Sequence, residues 1–305
     1  MKKFLIRAAL FLALIFTMFF IIFLSINKSL DPYYLRFTTP KQTSLVLGTS
    51  RAAQGIQPEV LNKILGRSDI FNYSFNIDIS PFGPNYFNII EKKMDTTKRD
   101  GIFIVTIDPW SISSRLDELN DIKKFRELSF QGHINYVNMN PNIFYLLLKY
   151  EGPFLNLLFK KNTYSYLHND GWLEINVPMD SSSIENRLND KIKTYREKNL
   201  PNYKYAEIRL EYAIKTIHYL KKFGEVYLVR LPIHPLMLEV ENQFMPDFDS
   251  KVAKIKSETH VDYYDMTDLN SKLIFVDGNH LYNASVKIVS ATIGEYILMK
   301  RRTGN

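Results

Sequence analysis

Two short stretches of this 305-residue chain carry the residue types of nucleophilic chemistry. The first is Gly48-Thr49-Ser50-Arg51, behind the apolar run Ser44-Leu45-Val46-Leu47 and ahead of a helix opened by Pro58-Glu59. A serine on a turn between strand and helix projects its hydroxyl out of the sheet, where a helix N-terminus favours developing negative charge. A turn or capping serine with no chemistry is the other reading, and local sequence leaves both open. The second stretch is Phe275-Val276-Asp277-Gly278-Asn279-His280-Leu281, before the last helical pattern. Asp277 and His280 lie three apart around a glycine-containing turn. The carboxylate can then accept from one imidazole nitrogen while the other faces outward, as an oriented general base requires. Here too a plainer reading is open: Asp277 and Asn279 start the helix, and His280 is a surface residue.

Such residues need a scaffold, and the hydrophobic pattern supplies one. Strands are expected at 44–48, at 69–75, at 102–107 (Ile102-Phe103-Ile104-Val105-Thr106-Ile107, the clearest buried run), at 226–231 and at 263–265. Helices are expected from Pro58 to a stop at Gly66, over 84–93, over 203–223 with Gly224 at its C′ position, and over 284–299. Strands alternating with helices predict an α/β fold with a mostly parallel sheet covered on both faces. Ligands in such sheets bind at the carboxyl ends of strands, where both stretches fall. Residues 111–200 carry helical fragments such as Ile143 to Leu148, a turn at Asn169-Asp170-Gly171 and a polar stretch from Asp180 to Asn199. They read as a helical insertion, not a separate domain.

The net charge of +7 sits at the two ends. Lys2, Lys3, Arg7 and Lys28 account for four of the excess charges and Lys300, Arg301 and Arg302 for three. The body, 29–299, is balanced at 32 basic and 32 acidic residues, so no distributed basic surface for nucleic acid is expected. With no cysteine there is no disulfide framework, thiolate metal site or Cys nucleophile. The six histidines form no H-x-H or H-E-x-x-H pair, so neither a metal nor another cofactor is expected. His218, within the 203–223 helix, reads as structural. Phe4 to Leu24 is apolar except for Arg7 and Thr17, and its 21 residues match a bilayer's hydrocarbon thickness. Cations cluster on its N-terminal side, which keeps that end cytoplasmic and the remainder extracytoplasmic, periplasmic or at the cell surface. The alternative is a cleaved signal peptide, against which stand the length of the apolar run and Ser25-Ile26-Asn27-Lys28 in place of a small-x-small site. The expected organisation is an anchor over 1–28, touching lipid through 4–24, a linker over 29–43 and an α/β domain over 44–300.

A near-N-terminal G-x-S on the first strand, with D-x-x-H before the last helix, resembles the SGNH (GDSL-like) hydrolases. Gly48-Thr49-Ser50-Arg51 with Gln54-Gly55-Ile56 and Pro58 is most similar to their membrane-anchored branch, which includes proteins of teichoic acid D-alanylation and alginate O-acetylation. Asn72-Tyr73-Ser74-Phe75, Pro81-Phe82-Gly83-Pro84, Ile107-Asp108-Pro109-Trp110, Val229-Arg230-Leu231-Pro232 and Asp277-Gly278-Asn279-His280-Leu281 resemble it too. The resemblance covers 44–110 and 225–299. It implies a three-layer, flavodoxin-like sheet, with Ser50 as nucleophile, His280 as general base and Asp277 fixing the imidazole. An acyl-enzyme at Ser50 would pass its acyl group to water or to a sugar hydroxyl.

The sequence departs from the family at the oxyanion hole. The loop after the second strand reads Asn76-Ile77-Asp78, with Gly83 only further on. The loop after the third reads Asp108-Pro109-Trp110, with no Asn. An ionised Asp108 cannot donate and Pro109 has no N–H, which leaves the backbone N–H of Ser50 or Arg51, with the Asn76 amide as a further candidate. Four other residues have a site reading and a plainer one. Arg51 is an electrostatic helper or an ion-pair partner; Arg230 binds an anionic substituent or pairs with an acid. Trp110 stacks on a sugar ring or belongs to the core. His234, between Pro232 and Pro235, borders the site or lies outside it. The expectation is an esterase or O-acyltransferase acting on an acylated cell-envelope or exported glycan. The alternative is a catalytically weak or inactive accessory subunit that binds glycan or a multispanning acyl-exporting membrane protein.

Overall fold

A computed structural model describes residues 1–24, 32–119, 121–128, 136–149 and 164–303. Five parallel strands make the central sheet: β1 (Ser44–Leu47), β2 (Ile70–Asn72), β3 (Gly101–Thr106), β8 (Gly224–Arg230) and β9 (Asp262–Asp265). Their spatial order is β2-β1-β3-β8-β9, the flavodoxin-like arrangement in which the chain winds outward both ways from β1 and β3. Four short strands lie outside it. β4 (Ser113–Arg115) pairs antiparallel with β7 (Tyr203–Tyr205), and β5 (Ser165–Leu167) with β6 (Leu173–Ile175).

The middle strand shows why the sheet is buried on both sides. Side chains alternate along a strand, so Ile102 and Ile104 enter one apolar cluster while Phe103 and Val105 enter the other. Helices α4 (Pro84–Lys93), α7 (Glu207–Leu220) and α9 (Phe248–Thr259) cover the Phe103 side. Helices α3 (Pro58–Leu65) and α10 (Asn283–Thr303) pack together on the Ile102 side. The result is three layers. α3 starts with Pro58 at N1 and stops at Gly66 in the left-handed region (φ 63°), as its sequence predicts.

Further helices are α1 (Lys2–Leu24), α2 (Ser50–Gly55), α5 (Ile143–Lys149), α6 (Ser181–Thr194) and α8 (Pro235–Phe244). α1 is long and apolar enough to cross a membrane. Residues 25–31, which hold the end of the expected anchor with Lys28 and the start of the expected linker (29–43), lie outside the described residues, as do 129–135 with His133, and 150–163. Past them, Arg36 fastens the chain to the sheet: its guanidinium donates to the carbonyls of Asn72, at the end of β2, and Gly171, in the β5–β6 turn.

Several boundaries differ from expectation. The helix expected from 203 begins at Glu207, because Tyr203–Tyr205 pairs with Ser113–Arg115 and Ala206 N–H donates to Ile112 O. Gly224 does not cap that helix. It opens β8 against Gly101, whose carbonyl oxygen would lie 1.9 Å from a Cβ at that position. His218 is exposed and not part of the core. The polar stretch from 180 becomes α6, because the Asp180 carboxylate caps it by accepting from Ser183 N–H. A π-turn, Tyr195–Asn199, follows α6. Two of the C-terminal cations are tied down by ion pairs, Lys300 to Asp262 and Arg301 to Glu225, at 2.6 and 2.8 Å.

Candidate active site

The turn after β1 is shaped by contact, starting at Gly48. A Cβ there would lie 1.8 Å from Thr106 Oγ1, so only glycine lets the chain pass the end of β3. Gly48 N–H donates to the Tyr86 hydroxyl, and Gly48 O accepts from the Ser80 hydroxyl at 2.7 Å. Held from both sides, the chain turns at Thr49 and starts α2 with Ser50 as its first residue. The N–H groups of Ser50 and Arg51 open this helix, where no intrahelical carbonyl can reach them.

The second half of the site is the turn before α10. Phe275 bridges Leu281, and Val276 N–H donates to His280 O at 2.7 Å. Gly278 takes φ 87°, a left-handed conformation suited to glycine, and a Cβ there would meet Leu188 Cδ1 of α6 at 2.7 Å. The Asp277 carboxylate accepts from Asn279 N–H and His280 N–H at 3.1 and 3.0 Å, which fixes it inside its own turn.

These two turns meet. His280 Nε2 lies 2.9 Å from Ser50 Oγ, across 230 residues of sequence. His280 Nδ1 lies 2.9 Å from Asp277 Oδ2 and 3.0 Å from Oδ1. The Nδ1–H tautomer satisfies both ends: Nδ1–H donates to the carboxylate, and the bare Nε2 accepts from the serine hydroxyl. Burial pushes the Asp277 carboxyl up, but His280 and Lys191 outweigh it and hold the group well below the usual carboxylate range. Lys191 Nζ, from α6, stands 2.9 Å from Asp277 Oδ2. The same helix holds the turn twice more, since Arg187 Nε donates to Val276 O and Leu188 packs against Gly278.

The other expected site residues divide. Arg51 is buried and takes its ion-pair reading: it donates to Glu241 Oε1 at 2.6 Å and to Asn279 Oδ1 at 2.9 Å. It thereby ties the serine helix to the histidine turn. Burial works against its charge, and Glu241, Asp108 and Tyr195 overcome this and raise its pKa. Arg230 is found in its acid-pairing reading. Only 7% exposed, it donates to Glu241 Oε2 at 3.2 Å, with Asp265 3.7 Å away. Trp110 takes its core reading: it is 3% exposed, with one face stacked on Phe244 at 4.1 Å. His234 borders the site through its backbone, whose N–H donates to Gly278 O, while its ring caps α8 by accepting from Leu236 N–H. Asn76 stands in the loop over Gly48, its carbonyl accepting from Ile79 and Ser80 N–H and its side-chain oxygen from Asp78 N–H. Asp108 Oδ1 accepts from Trp110 and Ser111 N–H, so this carboxylate organises its own turn.

Sequence reasoning missed Lys191, Glu241 and Tyr195. Glu241 had a signal: it shares the buried stripe of α8 with Met237 and Val240, where a lone carboxylate demands a cation. Tyr195 faces Arg51, Asp108 and Asn279, and burial pushes its phenol up to about 12 against the pull of Arg51. Among the described residues no group of three or more His, Cys, Asp or Glu side chains is arranged to hold a metal ion.

No family model and no curated protein matches this chain. Among solved structures it is similar to the aryl esterase of M. smegmatis, at 11% identity and a TM-score of 0.40, covering 85% of this chain and 99% of that one. A carbohydrate acetylesterase from Sinorhizobium meliloti is similar at 10% identity and a TM-score of 0.38, over 85% and 99% of the two chains. At such overlap the functional reading rests on the side chains themselves.

Proposed function

We propose that this chain is an SGNH-type serine ester hydrolase or O-acyltransferase, held to a membrane by residues 2–24 with its α/β domain (44–300) on the extracytoplasmic side. The 111–200 insertion braces the site through α6. One observation carries the catalytic reading: Ser50 Oγ, His280 and Asp277 are in hydrogen-bonding line at 2.9 Å and 2.9 Å. A serine hydroxyl is a weak nucleophile until a positioned base takes its proton. In the proposed reaction Ser50 Oγ attacks the ester carbonyl as its proton passes to His280 Nε2. Asp277 stabilises the imidazolium, which then protonates the departing alkoxide. Water or a sugar hydroxyl next attacks the acyl-Ser50 ester, giving up its proton to His280, which returns it to the Ser50 oxygen as the C–O bond to serine breaks. The N–H groups of Ser50 and Arg51 are the proposed oxyanion donors.

The carboxylate of Asp108, where the family has an amide, favours a slow catalyst selective for its acceptor over a fast general esterase. One missing oxyanion donor costs about a hundredfold or more in rate. An acylated cell-envelope or exported glycan is the proposed substrate. The test is Ser50→Ala against wild type on a chromogenic acetate ester and on an acetylated glycan, with fluorophosphonate labelling in parallel. Wild type is expected to release acetate and to label, and Ser50→Ala to do neither. Equal turnover by both would remove the serine mechanism. A wild type that neither turns over nor labels would leave the accessory, glycan-binding role.

A further inference from the structure

Apart from α1, the described residues present an exposed apolar face on helix α5. Helix α5 turns Tyr145 and Leu146 inward and leaves Ile143, Phe144 and Leu147 exposed, Leu147 by 63%. Positions 143, 144 and 147 share one side of a helix. Tyr136 stacks on Phe144 at 5.3 Å between ring centres and is itself exposed, which widens the patch.

What lies beneath this helix decides what it meets. Its floor is the segment that follows α1: the Tyr145 ring lies 5.4 Å from Tyr34 and 5.1 Å from Phe37. Asn142 clasps the same segment, its N–H donating to the Tyr34 hydroxyl at 3.0 Å and its amide to Phe37 O at 3.0 Å. Helix and tether are thus one packed unit. Between Leu24 and Pro32 lie eight Cα steps, at most about 28 Å of chain. The patch is therefore confined near whatever layer holds α1.

We propose that the face of Ile143, Phe144 and Leu147 rests in the interfacial layer of the same bilayer, as a second and peripheral lipid contact. This rests on the reading of residues 2–24 as a retained anchor. Three side chains and a tyrosine are far short of the roughly 1,200–2,000 Å² that a stable protein interface buries. They suit a tethered surface, where covalent attachment supplies the local concentration and shallow insertion supplies the contact. An aromatic with a polar tip, as at Tyr136, is the residue type of the headgroup boundary.

The chain has no cysteine, so a single Leu147→Cys carries a bimane label without background, at an exposed position where folding is insensitive to the change. Full-length protein is reconstituted in phosphatidylcholine–phosphatidylglycerol vesicles with and without lipids brominated near the headgroup. Lys222→Cys, exposed in the turn before β8 and three strands away from β2, is the control. Blue-shifted emission that brominated lipid quenches at 147 and not at 222 is the expected result. An unquenched label at 147 overturns the proposal, as does a blue shift that disappears when protein is diluted into excess lipid, which marks a second copy. Alkaline extraction and intact mass separate the two readings. A shortened chain released from the vesicles removes the anchor and this contact together, whereas a retained, unquenched chain removes the contact alone.

Discussion

Replacing Lys191 by methionine separates support of the triad from participation in it. Asp277 accepts from His280 Nδ1, from two N–H groups of its own turn and from Lys191 Nζ. The substitution removes only the last. The lysine side chain is 29% exposed, so the ion pair is partly screened and its loss costs about 1 kcal/mol of stability, not the several expected of a sealed pair. The pH dependence follows from the depressed pKa of Asp277, which burial raises and His280 and Lys191 lower by more. A carboxylate of this kind stabilises the fold fully above its unfolded pKa of about 3.9, and that contribution is lost as pH falls below it. The unfolded pKa is common to both proteins and cancels, so the gap between wild type and Lys191→Met is constant from about pH 8 to about pH 5 and closes only as pH falls well below the usual carboxylate range, through the depressed folded pKa of Asp277. Ester hydrolysis should fall less than about tenfold, because the Asp277–His280–Ser50 line is intact. Asp277→Asn, which offers the imidazole an amide in place of a carboxylate, should lose on the order of 10⁴-fold. Urea denaturation at pH 7 and pH 5, where the gap should be equal, with acetate-ester turnover, measures both. A Lys191→Met variant as inactive as Asp277→Asn, or as stable as wild type at pH 7, would refute the reasoning.

Two further substitutions probe the frame around the site. Glu241→Gln leaves the guanidinium groups of Arg51 and Arg230 buried without their shared carboxylate and should cost about 3–5 kcal/mol, read as a lowered urea midpoint. An unchanged midpoint would mean that the network does not hold the two turns together. Gly48→Ala drives a Cβ to 1.8 Å from Thr106 Oγ1 and should cost at least the ~1–3 kcal/mol of ordinary overpacking. Adding Thr106→Ala should recover part of that loss, since the closest remaining atoms are Ala52 Cβ at 2.9 Å and Thr106 Cβ at 3.2 Å. A double variant less stable than Gly48→Ala alone would place the strain elsewhere.

The centre of the parallel sheet is legible in the sequence because β1 and β3 are short apolar runs stopped at Gly48 and at Asp108-Pro109, and a strand buried on both faces needs no alternation. Ser50, Asp277 and His280 are legible as residue types at strand ends, and folding adds the contact between them. Arg230 and Trp110 mislead for one reason: residue type suggests a ligand, while burial is set by partners distant in sequence, Glu241 and Phe244. Lys191 has no local signal. α6 buries no residue fully, so its sequence does not mark which lysine meets the turn. Tyr203–Tyr205 reads as the first turn of a helix because its strand partner lies some ninety residues earlier.

The separation of Ser50 from His280 also has a temporal meaning. The proposed nucleophile, Ser50, belongs to the first turn of the domain and the proposed base, His280, to the last, and His280 is fixed by a turn that leads into α10, which packs on α3. A chain made or moved from its N-terminus presents Ser50 long before His280 exists beside it. Until that terminal helix docks, the serine is an ordinary alcohol. Under the proposed serine mechanism, ester chemistry therefore waits on the docking of α10, and a nascent or truncated copy that lacks this helix has none to misdirect.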